Sequence, residues 1–151
     1  MGPTTNPSRD LPWSGEFIVQ AVHLLVVEDE HLILLELEDA LTEAGYEPTG
    51  ASNGDRAIEL LEKASGKFSG LITDIRLGKG SDGWEVARRA RQSDPLMAIV
   101  YISADSVLDW PIKGVPNSLV LQKPFAMAQL VTAVSQLLNG STSPAPPPEL
   151  E

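Results

Sequence analysis

The chain is 151 residues long and 42% hydrophobic, which suits one globular domain with tails. Its 21 acidic residues outnumber 11 basic ones, and the formal charge of −10 disfavours direct binding to the phosphate backbone of a nucleic acid. Because the sequence has no cysteine, no signal-peptide pattern and no apolar run near the roughly 18 residues of a membrane span, we expect a cytoplasmic protein without disulfides or membrane contact.

The two ends of the sequence differ from its middle in composition. Residues 1–20 carry several prolines among polar residues, and we expect a flexible N-terminal arm or linker there. Residues 140–151 read GSTSPAPPPELE and are too rich in proline to build a core, so we expect a disordered tail. The folded domain is therefore expected over residues 21–139.

Five short apolar runs alternate with helical patterns in this domain. Runs at 21–27, 69–74, 97–103 and 118–122 are nearly continuous, as is typical of parallel strands covered on both faces, and 46–52 predicts a weaker edge strand. Since helices separate the strands, the pattern predicts an α/β fold. We expect a doubly wound, flavodoxin-like (βα)5 architecture whose five parallel strands have the order 2-1-3-4-5.

Helical periodicity predicts the intervening helices and several of their ends. Ser52 or Asn53 is expected to cap the second helix, and Asp82 with Glu85 has the spacing of a capping box for the third. Pro124 is expected in the first turn of the last helix. The face that the first helix is expected to bury consists of Ile33, Leu37, Ala40, Leu41 and Ala44.

The fourth helix is the exception to this regular alternation. It has to fit within residues 105–117, where Pro111, Gly114 and Pro116 leave room for one or two turns. We therefore expect it to be shortened or broken.

Three acidic residues follow neighbouring strands of the predicted sheet. Glu28 and Asp29 end the first strand, and Asp74 ends the third. If the strand order is 2-1-3-4-5, these carboxylates converge at the carboxyl edge of the sheet, where such folds place their functional sites. Two unit charges about 4 Å apart repel by roughly 4 kcal/mol at an effective dielectric of 20, so the cluster needs a counter-charge. Oxygen ligands without His or Cys favour Mg²⁺.

A hydroxyl and an ammonium complete the predicted site. Ser103 closes the fourth strand and Lys123 the fifth. A carboxylate nucleophile, a metal, a hydroxyl and a lysine around one crevice can bind and transfer a phosphoryl group, because its oxygens need positive charge and hydrogen-bond donors. Asp74 is the predicted phosphoryl acceptor.

Four motifs carry a family resemblance: VVEDE after the first strand, LITD at the third, YISAD at the fourth and LQKPF after the fifth. In this order and at these strand ends, they resemble the CheY-like receiver domain of two-component response regulators over residues 22–139. The resemblance implies that Asp74 accepts a phosphoryl group from a histidine kinase or a histidine phosphotransfer protein. It further implies a change of the protein-binding surface towards a downstream target, and a signalling role rather than that of a dedicated enzyme.

The resemblance also implies a role for each site residue. Asp29 and Asp74 would bind Mg²⁺ directly, Glu28 would act through water, and the backbone carbonyl of Arg76 would complete the protein ligands. A separate pair would serve the acquired phosphoryl group, with Ser103 as hydrogen-bond donor and Lys123 as ion-pair partner. In the family, the peptide bond between Lys123 and Pro124 is cis.

The sequence departs from the family pattern in two places. The family usually has proline four residues and glycine eight residues after the phosphorylated aspartate; Gly78 and Asp82 stand there, and Gly83 follows. The loop is therefore expected to be one residue longer. Most members carry an aromatic residue three positions before the lysine, where this sequence has Val120, so that aromatic switch is predicted to be absent. Tyr101 stands two positions before Ser103, and an aromatic residue at that position resembles a variant group of receiver domains.

Several alternatives remain open. The chain is interpreted as a single-domain receiver without a DNA-binding output. The alternatives are a receiver excised from a hybrid sensor kinase and a phosphorylation-independent adaptor. The receiver is expected to be a monomer or a phosphorylation-dependent dimer. A phosphatase with an aspartate nucleophile would need a second acid two residues after that aspartate, and this sequence has Arg76 at that position. A flavodoxin-type cofactor binder would need a phosphate-binding loop after the first strand, but the sequence there reads EDEH, whose acidic side chains would repel a phosphate.

Overall fold

The computed structural model describes residues 21–140. The predicted N-terminal arm, residues 1–20, and the predicted tail beyond Gly140 lie outside the described residues. Among the helices within 21–140, none has the length and apolar character needed to cross a membrane.

Strands and helices alternate through the whole described part of the chain, as the sequence pattern predicts. All strand pairs are parallel, and the order in the five-stranded sheet is β2-β1-β3-β4-β5. The doubly wound, flavodoxin-like fold is therefore confirmed. The elements are β1 (His23–Val27), α1 (His31–Glu43), β2 (Glu47–Ala51), α2 (Gly54–Lys63), β3 (Phe68–Asp74), α3 (Gly83–Ser93), β4 (Ala98–Ser103), α4 (Trp110–Lys113), β5 (Ser118–Gln122) and α5 (Met127–Asn139).

The sheet divides the core into two layers because successive side chains of a strand point to opposite faces. In β1, Leu25 and Val27 face the layer covered by α2 and α3, whereas Leu24 and Val26 face the layer covered by α1 and α5. All four side chains are completely buried. A central strand buried on both faces needs apolar residues at every position, which explains the continuous apolar runs.

Two of the predicted helix starts are confirmed by side-chain hydrogen bonds. Asn53 Oδ1 accepts the backbone N–H of Arg56 at 2.7 Å at the start of α2. Asp82 Oδ1 accepts the N–H of Glu85 at 3.0 Å at the start of α3. Each bond satisfies an amide of the first helical turn that has no partner within the helix.

Two details of the predicted helices are wrong. Pro124 precedes α5 instead of lying in its first turn, because the helix begins at Met127, and the Gln129 side chain accepts the N–H of Ala126 at 2.8 Å. On α1, Leu37 and Leu41 of the expected face are buried, but Ala44 is exposed, and Leu34, which was not included in that face, is buried. Ala44 is the C-cap of α1, beyond the last turn that packs on the sheet.

The fourth helix is short, as predicted. A 3₁₀ turn over Val107–Asp109 leads into the four-residue α4. The indole N–H of Trp110 donates to Ser118 Oγ at 2.9 Å, and that hydroxyl donates to the carbonyl of Val115 at 2.6 Å. Gly114 makes this packing possible, since a Cβ there would lie 2.2 Å from the indole ring.

A buried tyrosine supports the segment between α4 and β5. Tyr101 is completely buried in β4, and its hydroxyl accepts the N–H of Val115 at 3.0 Å. Its ring packs against Trp84 with the centroids 4.8 Å apart. Tyr101 is paired in register with Val120 of β5, so an aromatic side chain lies beside the position where the family's usual aromatic residue is missing.

Candidate functional site

The structure brings the three predicted acids together at the carboxyl edge of the sheet. Glu28 and Asp29 follow β1, and Asp74 ends β3, the neighbouring strand. One carboxylate oxygen from each residue lies within 4.8 Å of the others. Such oxygen-only donors at close range suit a small hard cation such as Mg²⁺.

The three carboxylates differ strongly in their exposure to solvent. Glu28 is completely buried, Asp74 is 8% exposed, and Asp29 is exposed. Glu28 is held by the backbone, because its Oε2 accepts the N–H of Glu30 at 3.1 Å. The carboxylates of the cluster therefore range from completely buried at Glu28 to exposed at Asp29, and Asp74 is nearly but not completely buried.

Lys123 supplies the positive charge closest to the acids. Its Nζ lies 3.1 Å from Asp74 Oδ2 and 3.4 Å from Glu28 Oε1. Lys123 follows β5, and β4 separates that strand from β3, so the long side chain reaches across the end of β4. The backbone N–H of Lys123 donates to the carbonyl of Ser103 at 2.8 Å, which secures the residue at the edge of the sheet.

Burial and neighbouring charges perturb the pKa values of two residues of this cluster. The pKa of Glu28 rises from its ordinary 4.5 to about 7, chiefly because of burial and secondarily because of the charge of Asp74, against the lowering effects of the Glu30 N–H and Lys123. Burial by itself lowers the pKa of Lys123, but the carboxylates of Asp74 and Glu28 outweigh it and raise that pKa overall. Three carboxyl groups lie beside the ammonium of Lys123, and a divalent cation would balance the charge that remains when all three are ionised.

Ser103 lies at the end of β4 with its hydroxyl already oriented. Its Oγ accepts the backbone N–H of Asp105 at 3.2 Å and that of Ser106 at 2.5 Å, and the residue is 1% exposed. With two amides on its lone pairs, the hydroxyl is left to act as a donor. Ser103 was predicted as a site residue, but its two amide partners were not. The sequence SADS, which begins at the last residue of β4, was the only local signal for them.

The side chain of Arg76 pairs with Asp105, which is not one of the three clustered carboxylates. Its Nε donates to Asp105 Oδ1 at 2.9 Å, and both side chains are largely exposed. The charged partner beside it lowers the pKa of Asp105. The predicted role of the Arg76 backbone carbonyl as a metal ligand stays a prediction.

A glycine contact holds the start of α3 against the backbone of Asp74. The N–H of Gly83 donates to the carbonyl of Ile75 at 2.8 Å. A Cβ at Gly83 would lie 2.2 Å from the carbonyl oxygen of Asp74 and 2.7 Å from the Cα of Ile75. Backbone atoms cannot move aside cheaply, so this approach requires glycine. Gly83 was singled out because it lies one position beyond the usual glycine of the family, but its contact with Asp74 and Ile75 was not predicted.

Comparisons with known proteins agree with this geometry. A family model described as the response regulator receiver domain matches residues 24–135. The chain is 36% identical over 117 residues to the response regulator receiver protein CpdR of Brucella abortus, a match that covers 76% of this chain and 95% of CpdR. It is 34% identical over 118 residues to the transcriptional regulatory protein CusR of Escherichia coli K12, covering 77% of this chain and 51% of CusR. A solved response regulator receiver protein from Sinorhizobium medicae matches with a TM-score of 0.78 and 51% identity, covering 81% of this chain and 98% of that one.

Proposed function

The chain belongs to the family of response regulator receiver domains, the signalling domains of two-component systems, and from this we propose that it accepts a phosphoryl group on Asp74. The donor is a histidine kinase or a histidine phosphotransfer protein. One observation carries the proposal: Asp74, at 8% exposure, lies close to two further carboxylates and to the ammonium of Lys123. A surface acid without such a role would have no need of this surrounding.

The acidic cluster is the proposed Mg²⁺ site. Asp29 and Asp74 offer direct carboxylate ligands, Glu28 acts through water, and the carbonyl of Arg76 is the remaining protein ligand. Bound Mg²⁺ would supply the positive charge that the transferring phosphoryl oxygens require. The spacing of the three carboxylates, within 4.8 Å, supports this assignment.

The chain's own residues perform the remaining steps. A carboxylate oxygen of Asp74 forms the bond to phosphorus while the P–N bond of the donor phosphohistidine breaks, and the departing imidazole keeps the electron pair of that bond. The Ser103 hydroxyl donates to a phosphoryl oxygen. Lys123, which now pairs with Asp74, pairs with the phosphoryl group after transfer. The acyl phosphate is a signal, so we assign the protein no turnover of its own beyond accepting the group.

The output is a phosphorylation-dependent change of the protein-binding surface. The match across 95% of CpdR supports a receiver that acts alone, while the match across only 51% of CusR is the pattern of a receiver within a longer protein. We favour the first, in the cytoplasm, with a downstream protein as target and a monomer or a phosphorylation-dependent dimer as the signalling form. The adaptor alternative predicts equal affinity for that target with and without phosphorylation.

The proposal is tested with acetyl phosphate and with beryllofluoride, each with Mg²⁺. With acetyl phosphate, wild type is expected to gain one phosphoryl group in intact-mass analysis, and Asp74→Asn is expected to gain none; beryllofluoride, which carries no phosphorus, serves as the mimic of the phosphorylated state in binding assays. Asp39→Asn serves as the matched control, because it removes an equal charge from an exposed acid on α1, outside the cluster. Labelling of the Asp74→Asn variant at the wild-type level would contradict the assignment.

A further inference from the structure

The loop between β3 and α3, residues 75–82, leads directly from the proposed phosphoryl acceptor. Gly83 follows Asp74 by nine positions, and two glycines inside the loop, Gly78 and Gly80, have φ values of 76° and 88°. A long loop with two left-handed glycines has many conformations open to it. Something outside the loop has to select the one that the structure shows.

Asp55, in the first turn of α2, contacts this loop through two hydrogen bonds. Its Oδ1 accepts the backbone N–H of Ser81 at 3.1 Å and the hydroxyl of Ser81 at 3.0 Å. The two residues are 26 positions apart in the chain and belong to different βα units. The contact is therefore tertiary, and it is charge-assisted because the acceptor is a carboxylate.

Two glycines permit the close approach of these segments. A Cβ at Gly54 would lie 2.0 Å from the carbonyl oxygen of Ser81, and a Cβ at Gly80 would lie 2.7 Å from Asp55 Oδ2. The backbone of Gly54 therefore packs directly against the backbone of Ser81, and the backbone of Gly80 packs against the carboxylate of Asp55. Such a fit holds Ser81 in one place relative to α2.

The same end of the loop is also held to the sheet through Gly83, two residues after Ser81. Gly83 contacts the backbone of Asp74 and Ile75, as described above, and its N–H donates to the carbonyl of Ile75 at 2.8 Å. The segment that carries Arg76 thus runs between Asp74 and an anchor at Ser81. Without the anchor at Ser81, the segment that carries the Arg76 carbonyl would keep its contacts at Ile75 and Leu77 but lose a tertiary contact that limits its conformations.

We propose that Asp55 is a positioning residue for phosphoryl transfer: it holds the loop between β3 and α3 in the conformation that completes the Mg²⁺ site. This inference rests on the proposed function, and it adds a residue that contacts neither the ion nor the phosphoryl group. Asp55 acts through Ser81 and the loop backbone alone.

The test compares Asp55→Ala with Asp55→Asn. Asparagine keeps an Oδ1 that accepts both hydrogen bonds from Ser81, whereas alanine removes the acceptor. Mg²⁺ affinity, measured by calorimetric titration, is expected to weaken about fivefold to tenfold in Asp55→Ala and to stay within about twofold of wild type in Asp55→Asn. Asp39→Ala, which removes an exposed acid on α1, is the charge-matched control and is expected to bind as wild type does.

Each outcome decides the proposal. Wild-type affinity in Asp55→Ala would overturn it, and so would an equal loss in Asp55→Asn or Asp39→Ala, since that would show an effect of charge and not of position. If wild type itself binds no Mg²⁺ and takes no phosphoryl group, the proposed function fails. Amide hydrogen exchange at residues 76–81 in metal-free protein then still tests the anchor: exchange must accelerate in Asp55→Ala and not in Asp55→Asn, and equal rates would overturn it.

Discussion

Glu28→Gln is expected to stabilise the metal-free protein at alkaline pH, because the buried carboxylate is ionised there at a cost to the fold. Burial raises the pKa of Glu28 from its ordinary 4.5 to about 7. A difference of about 2.5, at about 1.4 kcal/mol for each pKa unit, corresponds to roughly 3 to 4 kcal/mol of unfolding free energy. Glutamine has nearly the same shape and still offers an oxygen to the N–H of Glu30, so it approximates the neutral acid.

The sign of the pH dependence follows from which state binds the proton more tightly. The folded protein holds the proton on Glu28 more tightly than the unfolded chain, so this group destabilises the wild-type fold as pH rises from 4.5 through 7. The variant lacks this loss. At about pH 8.5 in a metal chelator, the unfolding free energy of Glu28→Gln is expected to exceed that of wild type by roughly 3 to 4 kcal/mol at most. Near pH 4.5 the difference disappears.

Urea unfolding of both proteins at the two pH values measures the effect. With a slope of about 2 kcal/mol per molar urea, the alkaline midpoint is expected to rise by about 1.5 M in Glu28→Gln. Glu36→Gln, an exposed position on α1, is the control and is expected to change the unfolding free energy by less than about 0.5 kcal/mol. An alkaline midpoint for Glu28→Gln at or below that of wild type would refute the reasoning, since the buried charge would then carry no penalty.

Three further substitutions test other contacts of the site and the core. Lys123→Ala is expected to keep the fold and most Mg²⁺ binding but to abolish the effect of beryllofluoride on target binding, because the ammonium 3.1 Å from Asp74 is the phosphoryl partner; an unchanged effect in a pull-down would contradict this role. Gly83→Ala is expected to lower the unfolding free energy by about 1 to 3 kcal/mol, since its Cβ would lie 2.2 Å from the Asp74 carbonyl oxygen; wild-type stability in urea would show that the backbone yields there. Trp110→Phe removes the buried donor to Ser118 and is expected to cost about 1 to 2 kcal/mol in the same assay, and a loss below about 0.5 kcal/mol would contradict this.

The residues of the site show what local sequence can predict. Glu28 and Asp29 were both expected beside Asp74, and the structure places all three within one cluster. Their positions at strand ends follow from apolar runs that stop at an acid, which is a local signal. Their difference in burial was not predictable, because it depends on the elements that cover Glu28 and leave Asp29 open to solvent.

Neighbouring elements also decided the details in which the predictions and the structure differ. Pro124 is a favourable residue for a first helical turn, yet the chain leaving β5 enters α5 only at Met127. The period of α1 suited Ala44 as well as Leu34, but the helix ends before Ala44 can pack on the sheet. Helical spacing defines a stripe of residues, and the neighbouring elements decide which part of the stripe is buried.

The sequence alone determined the alternation of strands and helices, the short fourth helix and the acidic, hydroxyl and lysine residues at the strand ends. Each of these depends on residues close together in the chain, whose spacing and chemistry can be read directly. Only the tertiary structure decided that Lys123 pairs with Asp74, 49 positions away, and that Asp55 anchors Ser81, 26 positions away. Such contacts depend on the path of the chain between the elements, and that path cannot be predicted from the side-chain pattern within one element.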